Sequence, residues 1–195
     1  LWLQLDQNFR AQDSETPLVT EYFMKNSLSS KELFTIQNNF DGGFRIDKVL
    51  DDAGQPLAYF INKTMMRINL EQPLLPGAQM TFQVDWHYKI NDRMSLGGRS
   101  GYEYFPKDDN YSYTIAQFYP RMAVYDDVEG WQNKQFLGRG EFALSFGNFE
   151  VAMTVPEDFI VGATGTLQNP KDVLTSKEQL RFEKAKQSFE DPVII

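Results

Sequence analysis

Three carboxylates, Asp126, Asp127 and Glu129, crowd the stretch Tyr125-Asp126-Asp127-Val128-Glu129-Gly130-Trp131, and Glu141 follows further along. Paired carboxylates can act as the acid and base of a glycoside hydrolase, one protonating the leaving oxygen while the other attacks or activates water. Adjacent Asp residues on a turn point in different directions, however. The commoner reading of such a stretch is a solvated or structural turn. The same oxygens, with nearby backbone carbonyls, would also suit a hard cation such as calcium, but no EF-hand spacing accompanies them.

Tyr102, Tyr104, Tyr111, Tyr113, Phe118 and Tyr119 precede that turn and could line a platform for carbohydrate or peptide. Tyr111 and Tyr113 alternate as on a strand, which assigns about half of these rings to a core. His87 is the only histidine. A catalytic zinc site takes two or three histidines, and the metalloprotease helix needs two of them four residues apart, so this chain cannot build that site alone. His87 shares a polar strand face with Asp85 and Lys89, where the ordinary reading is a solvated residue. A dyad with an Asp would need a marked nucleophile, and no strand–turn–helix elbow supplies one.

The elements that must position these residues are mostly strands. Hydrophobic residues make up 42% of the 195 and aromatics 14%, enough for a substantial core in one domain. A net charge of −8 with scattered Lys and Arg argues against nucleic-acid binding. No run of eighteen apolar residues is present, so no membrane span is expected. The absence of cysteine excludes disulfides and thiolate chemistry without fixing the compartment, although a periplasmic or exported location is suspected.

Leu1, Leu3 and Leu5 alternate until Asp6-Gln7-Asn8, a turn composition. Ser29 to Glu32 offers a capping box for a short helix through Leu33, Phe34 and Ile36. Strands are expected around Phe44 to Val49, Leu57 to Ile61 and Met66 to Leu70. From Gln79 to Ile90 apolar and polar residues alternate strictly, which predicts one long strand with Met80, Phe82, Val84, Trp86, Tyr88 and Ile90 on its buried face. Asn91 to Gly101 reads as a loop. Gly147-Asn148 reads as the turn of a hairpin between Glu141–Phe146 and Phe149–Val155, and Gly162 and Gly165 as bulges or close backbone approaches. Thr175 to Glu178 is a second capping box opening a helix to Gln187, and Phe189 to Ile195 reads as a strand beginning.

From Gln117 to Gly165 these elements come in an order that resembles a known family. AQFYPRMAVYDD, then EF-x-L-x-FGNFEVAMTVPEDFIVGATGTL, is similar to the N-terminal β domain of the aminopeptidase N family of zinc metallopeptidases. That family carries a Gln-Phe-Glu or Gln-Cys-Gln segment, an Arg, an aromatic-rich turn reaching an Asp, a strand pair ending in Val-Pro, and a small-residue Gly motif. Here these are Gln117-Phe118-Tyr119, Arg121, Tyr125-Asp126, Phe149 to Pro156, and Gly162 to Gly165, with the likeness running from about Gly77 to Pro170.

The resemblance implies a saddle-shaped β domain seated on a thermolysin-like catalytic domain of the same chain. It closes one side of the cleft, and its Gln-x-Glu/Gln segment helps hold the free amino group of the peptide substrate. Gln117 matches the first Gln. The second position is Tyr119, whose phenol can accept a hydrogen bond but brings no charge at neutral pH. The HExxH helix, the downstream Glu ligand and the Gly-x-Met-Glu-Asn strand are not in this sequence, so zinc would belong to the parent's catalytic domain and no cofactor to this piece. The opening on LWLQL and the VII ending read as cuts inside a longer domain.

The expectation is thus an all-β chain: one antiparallel or mixed, saddle-like β-sandwich domain over residues 1–195 with one or two short helices. Its site residues are Gln117 and Tyr119, its partners the catalytic domain and a peptide N-terminus. Unfinished sheet edges would be open to pairing with a second copy. The rival expectation is a carbohydrate-binding β-sandwich using the Tyr-rich surface.

Overall fold

The computed structural model describes residues 1–16, 30, 40–138 and 143–195. Strands dominate and every ladder is antiparallel, in small sheets with few short helices, so the chain is mainly β. It divides into two compact units, Leu1–Gly147 and Asn148–Ile195.

In the first unit, β1 (Trp2–Gln4) is central. It pairs on one side with β4 (Met65–Ile68), which pairs with β3 (Tyr59–Asn62), and on the other with β8 (Arg121–Met122). β1 thus has a ladder partner along each edge, and Leu3 and Gln4, which point to opposite faces, are both buried. The alternation of Leu1, Leu3 and Leu5 holds, but Asp6-Gln7-Asn8 is no surface turn. These residues begin a 3-10 helix, Asp6–Arg10, and all three are buried. The expected helix through Leu33 to Ile36 lies outside the described residues.

A ribbon of β2 (Arg45–Asp51) and β5 (Phe82–His87) supplies the other half of the core. Leu3, Leu5, Met66 and Ile68 from the sheet meet Phe44 and Val49 from the ribbon side, with Phe82, Val84, Trp86 and Tyr88 packed around them. The alternation from Met80 to Ile90 therefore assigned the faces correctly: its apolar members are all half-buried. The strand is shorter than the pattern because its partner β2 ends at Arg45 and Asp51, opposite His87 and Phe82. Without a ladder neighbour, the flanking residues keep the alternation but not the strand.

Further corrections concern loops and the second unit. The expected loop Asn91–Gly101 contains a one-turn helix, Arg93–Leu96, whose N-cap Asp92 accepts from the backbone of Met94 and Ser95. Gly101 then adopts φ +148, and a Cβ there would stand 2.7 Å from the Asn91 carbonyl oxygen, so only glycine fits. It leads into a hairpin of β6 (Gly101–Phe105) and β7 (Asn110–Thr114). The acidic stretch folds as a second tight hairpin, β9 (Tyr125–Asp126) and β10 (Gly130–Trp131).

Within the second unit no strand forms among the described residues, neither at 148–155, around Gly162 and Gly165, nor at 189–195. The hairpin expected at Gly147-Asn148 is thus absent over residues 143–155, and Val151, Met153 and Val155 are exposed. Alternation prepares a segment for a sheet, but only a partner strand makes one. The capping box is as expected: Thr175 accepts from Glu178 N–H, Glu178 reaches back to Thr175 N–H, and the helix runs Ser176–Ala185.

Candidate functional site

The segment 116–119, between β7 and β8, is held by its backbone. Gln7 Nε2 donates to the carbonyls of Ala116 (2.9 Å) and Gln117 (3.1 Å). Ser100 Oγ donates to the Ala116 carbonyl at 2.8 Å and lies 3.0 Å from the Ala116 N–H as its acceptor. Trp86 Nε1 donates to the Phe118 carbonyl at 2.9 Å. Three consecutive carbonyls thus receive side-chain donors from three separate parts of the chain. Two of those donors, Gln7 and Ser100, are themselves buried. A loop bonded this way has little freedom to move.

That restraint coincides with strain. Gln117 has φ +52, in the left-handed region. Such a conformation costs a non-glycine residue of order 1 kcal/mol or more and persists where surroundings over-determine it. The Gln7 and Ser100 bonds do so on either side of residue 117.

Beneath the loop lies a buried charge. Asp6 is 1% exposed, and its Oδ2 accepts from Arg121 Nε at 3.0 Å. Arg121 also donates to Gln4 Oε1, tying β8 to β1 by side chains as well as by ladder bonds. Burial pushes the Asp6 carboxyl above its ordinary range, against the pull of Arg121 and of the nearby Gln117 amide. Asp6 Oδ1 has no well-formed hydrogen bond, so the Gln117 contact is a weak one.

Gln117 and Tyr119 are both half-buried. Tyr119 packs edge-on against Phe118, with ring centroids 5.2 Å apart. A cavity of about 460 Å³ opens instead beside Gln4, Arg121, Asp126, Gln132 and Lys134. Its polar groups are largely engaged with one another. Lys134 pairs with Glu129 at 2.8 Å, and Gln132 donates to Asp126.

Asp126 is a turn-former. Its Oδ1 accepts from the backbone of Glu129 (2.8 Å) and Val128 (3.0 Å), and these bonds, the Glu129 one first, hold its carboxyl below the usual range. A depressed carboxylate stabilises above its unfolded pKa and loses that contribution as pH falls through the folded one. Amide exchange at Val128 and Glu129 is accordingly expected to be faster in Asp126→Ala than in the parent chain near neutral pH. The difference should shrink in acid, once the parent carboxylate is protonated, as NMR exchange can measure. Among the described residues no three His, Cys, Asp or Glu side chains converge to hold a metal ion. His87 pairs with Asp47 at 2.9 Å on an exposed face, a third partner for an Asp–His dyad being unmarked in the sequence.

The aromatic set splits in two. Tyr102, Tyr104, Tyr111 and Tyr113 share the β6–β7 hairpin, whereas Phe118 and Tyr119 belong to the pinned loop. Sequence reasoning missed Gln7, Ser100 and Trp86 as loop supports. Trp86 was open to discovery, since an indole N–H on an apolar strand face must find an acceptor. Comparison of the chain with protein-family models, curated proteins and solved structures gave no match.

Proposed function

We propose that this chain is the non-catalytic N-terminal β domain of a zinc-dependent metallo-aminopeptidase. In this reading it packs on the catalytic domain of the same protein as a saddle-like sandwich and shapes the peptide-binding cleft. The single observation that carries the reading is the loop 116–119: a left-handed Gln117 pinned through consecutive carbonyls, where the resemblance expects a cleft-facing Gln. Backbone strain held in place by buried donors is the arrangement a binding residue needs, because its geometry is settled before the ligand arrives.

Gln117 would offer its amide oxygen to the ammonium of a peptide N-terminus, and Tyr119 its phenol oxygen. Neither supplies charge, so recognition here rests on dipoles rather than on an ion pair. In this reading zinc belongs to the catalytic domain.

The test is to assay the longer parent protein on aminoacyl-anilides with and without a chelator. Hydrolysis abolished by the chelator and restored by zinc is the expected result. Peptidase activity that is absent, or indifferent to the chelator, overturns the reading.

A further inference from the structure

The tyrosines of the β6–β7 hairpin have no part in that loop. Tyr102 stands opposite Tyr113 and Tyr104 opposite Tyr111, so all four side chains share one face of a two-stranded ribbon. The rings of Tyr104 and Tyr111 approach to 4.8 Å between centroids, and Tyr102 meets Tyr111 edge-on at 6.0 Å. Burial does not account for them. Tyr104, Tyr111 and Tyr113 are 45%, 45% and 44% exposed, and only Tyr102 of the four is half-buried.

A carboxylate joins this face. Tyr104 Oη donates to Asp109 Oδ1 at 2.9 Å, which brings Asp109 to the rim of the rings. The turn also carries Asp108, against the single Lys107. Glu103 belongs to the opposite face and is paired with Arg93 at 2.6 Å. Aromatic faces present the negative lobe of their quadrupole, so rings and carboxylate sum to one electronegative surface on a chain of net charge −8. Elsewhere cations already cover rings: Arg10 lies over Phe9 at 4.6 Å and Arg67 over Trp2 at 5.9 Å. Among the described residues none lies over Tyr104 or Tyr111.

We propose that this face docks a cationic peptide segment, with an arginine or lysine side chain laid against Tyr104 and Tyr111 and its charge toward Asp109. Charge complementarity selects this occupant. A neutral sugar could rest on the rings and donate hydroxyls to the carboxylate, but it brings no opposite charge to the surface. The proposal stands apart from the peptidase reading, since it uses neither Gln117 nor Tyr119.

Calorimetric titration of the whole chain with acetyl-Arg-Gly-Arg-Gly-Arg-amide, and with its citrulline counterpart, decides the matter. The arginine peptide is expected to bind, and the citrulline peptide to bind about tenfold more weakly or not at all. Asp109→Asn and Tyr111→Leu should each weaken the arginine peptide by about tenfold, and added salt should weaken it further. Tyr111→Phe keeps the ring and should bind as the parent does, which separates loss of a contact from loss of the hairpin. Equal binding of the two peptides, or indifference to Asp109→Asn, overturns the proposal. So does cellotetraose binding that is lost with Tyr111→Leu and untouched by Asp109→Asn, which would make the face a sugar platform.

Discussion

Arg121→Met is expected to destabilise the first unit by about 3–5 kcal/mol at neutral pH, the range for stranding one member of a buried ion pair. The pair qualifies: the Arg121 and Asp6 side chains are 11% and 2% exposed. Asp6 Oδ1 already lacks a well-formed partner, so removing the guanidinium leaves the carboxylate nearly without compensation.

The pH dependence has a definite sign. Burial raises the folded-state pKa of Asp6 above its unfolded value. A carboxyl raised in this way stabilises fully below the unfolded pKa, where it is protonated in both states. It loses that contribution as pH rises through the folded pKa. Without Arg121 the folded pKa rises further, so the cost of Arg121→Met should be small in acid and grow toward neutrality. Urea unfolding at pH 4 and pH 7 measures both, and Asp6→Asn/Arg121→Met should recover most of the loss because no charge is then buried. A cost below about 1 kcal/mol at pH 7, or one that does not change with pH, would show that the pair is solvated in the folded chain.

Much of the first unit was legible because its pattern is local. The strict alternation from Met80 to Ile90 assigned the faces of β5, and the Leu1, Leu3, Leu5 alternation marked the residues that enter the core. Where the sequence misled, the cause lay in distant partners. Asp6-Gln7-Asn8 has a turn composition, yet it is buried in a 3-10 turn that meets Arg121, the Ala116 carbonyl and the Lys63 carbonyl. These partners lie 55 to 115 residues away. No local composition encodes them.

The candidate site shows the same division. Gln117 and Tyr119 came from resemblance alone, whereas the features that make the loop rigid, Gln7, Ser100 and Trp86, come from three distant stretches. The acidic turn that invited a catalytic or calcium reading is explained by local bonds of Asp126 to its own hairpin. The rings of the hairpin and the rings of the loop, adjacent in sequence, serve different surfaces because the ladder of β6 and β7 ends at Thr114.

Met66→Ala and Val151→Ala should differ sharply, and the contrast tests how far the sandwich expectation reaches. Met66 is fully buried between Leu3 and Ile61 in the register of the four-stranded sheet. Truncating it should cost about 2–5 kcal/mol, the transfer term plus that of the cavity left behind, while Met66→Leu should cost less than about 1.5 kcal/mol. Val151 is 54% exposed, and a surface truncation of that kind should fall within about 0.5 kcal/mol. Trp2, Trp86 and Trp131, the chain's three tryptophans, all lie in the first unit, so their fluorescence follows its unfolding in urea. Far-UV circular dichroism adds the helix Ser176–Ala185. If Val151→Ala instead lowers the midpoint of either signal by an amount worth more than about 1.5 kcal/mol, the Val151 side chain is buried in solution rather than exposed.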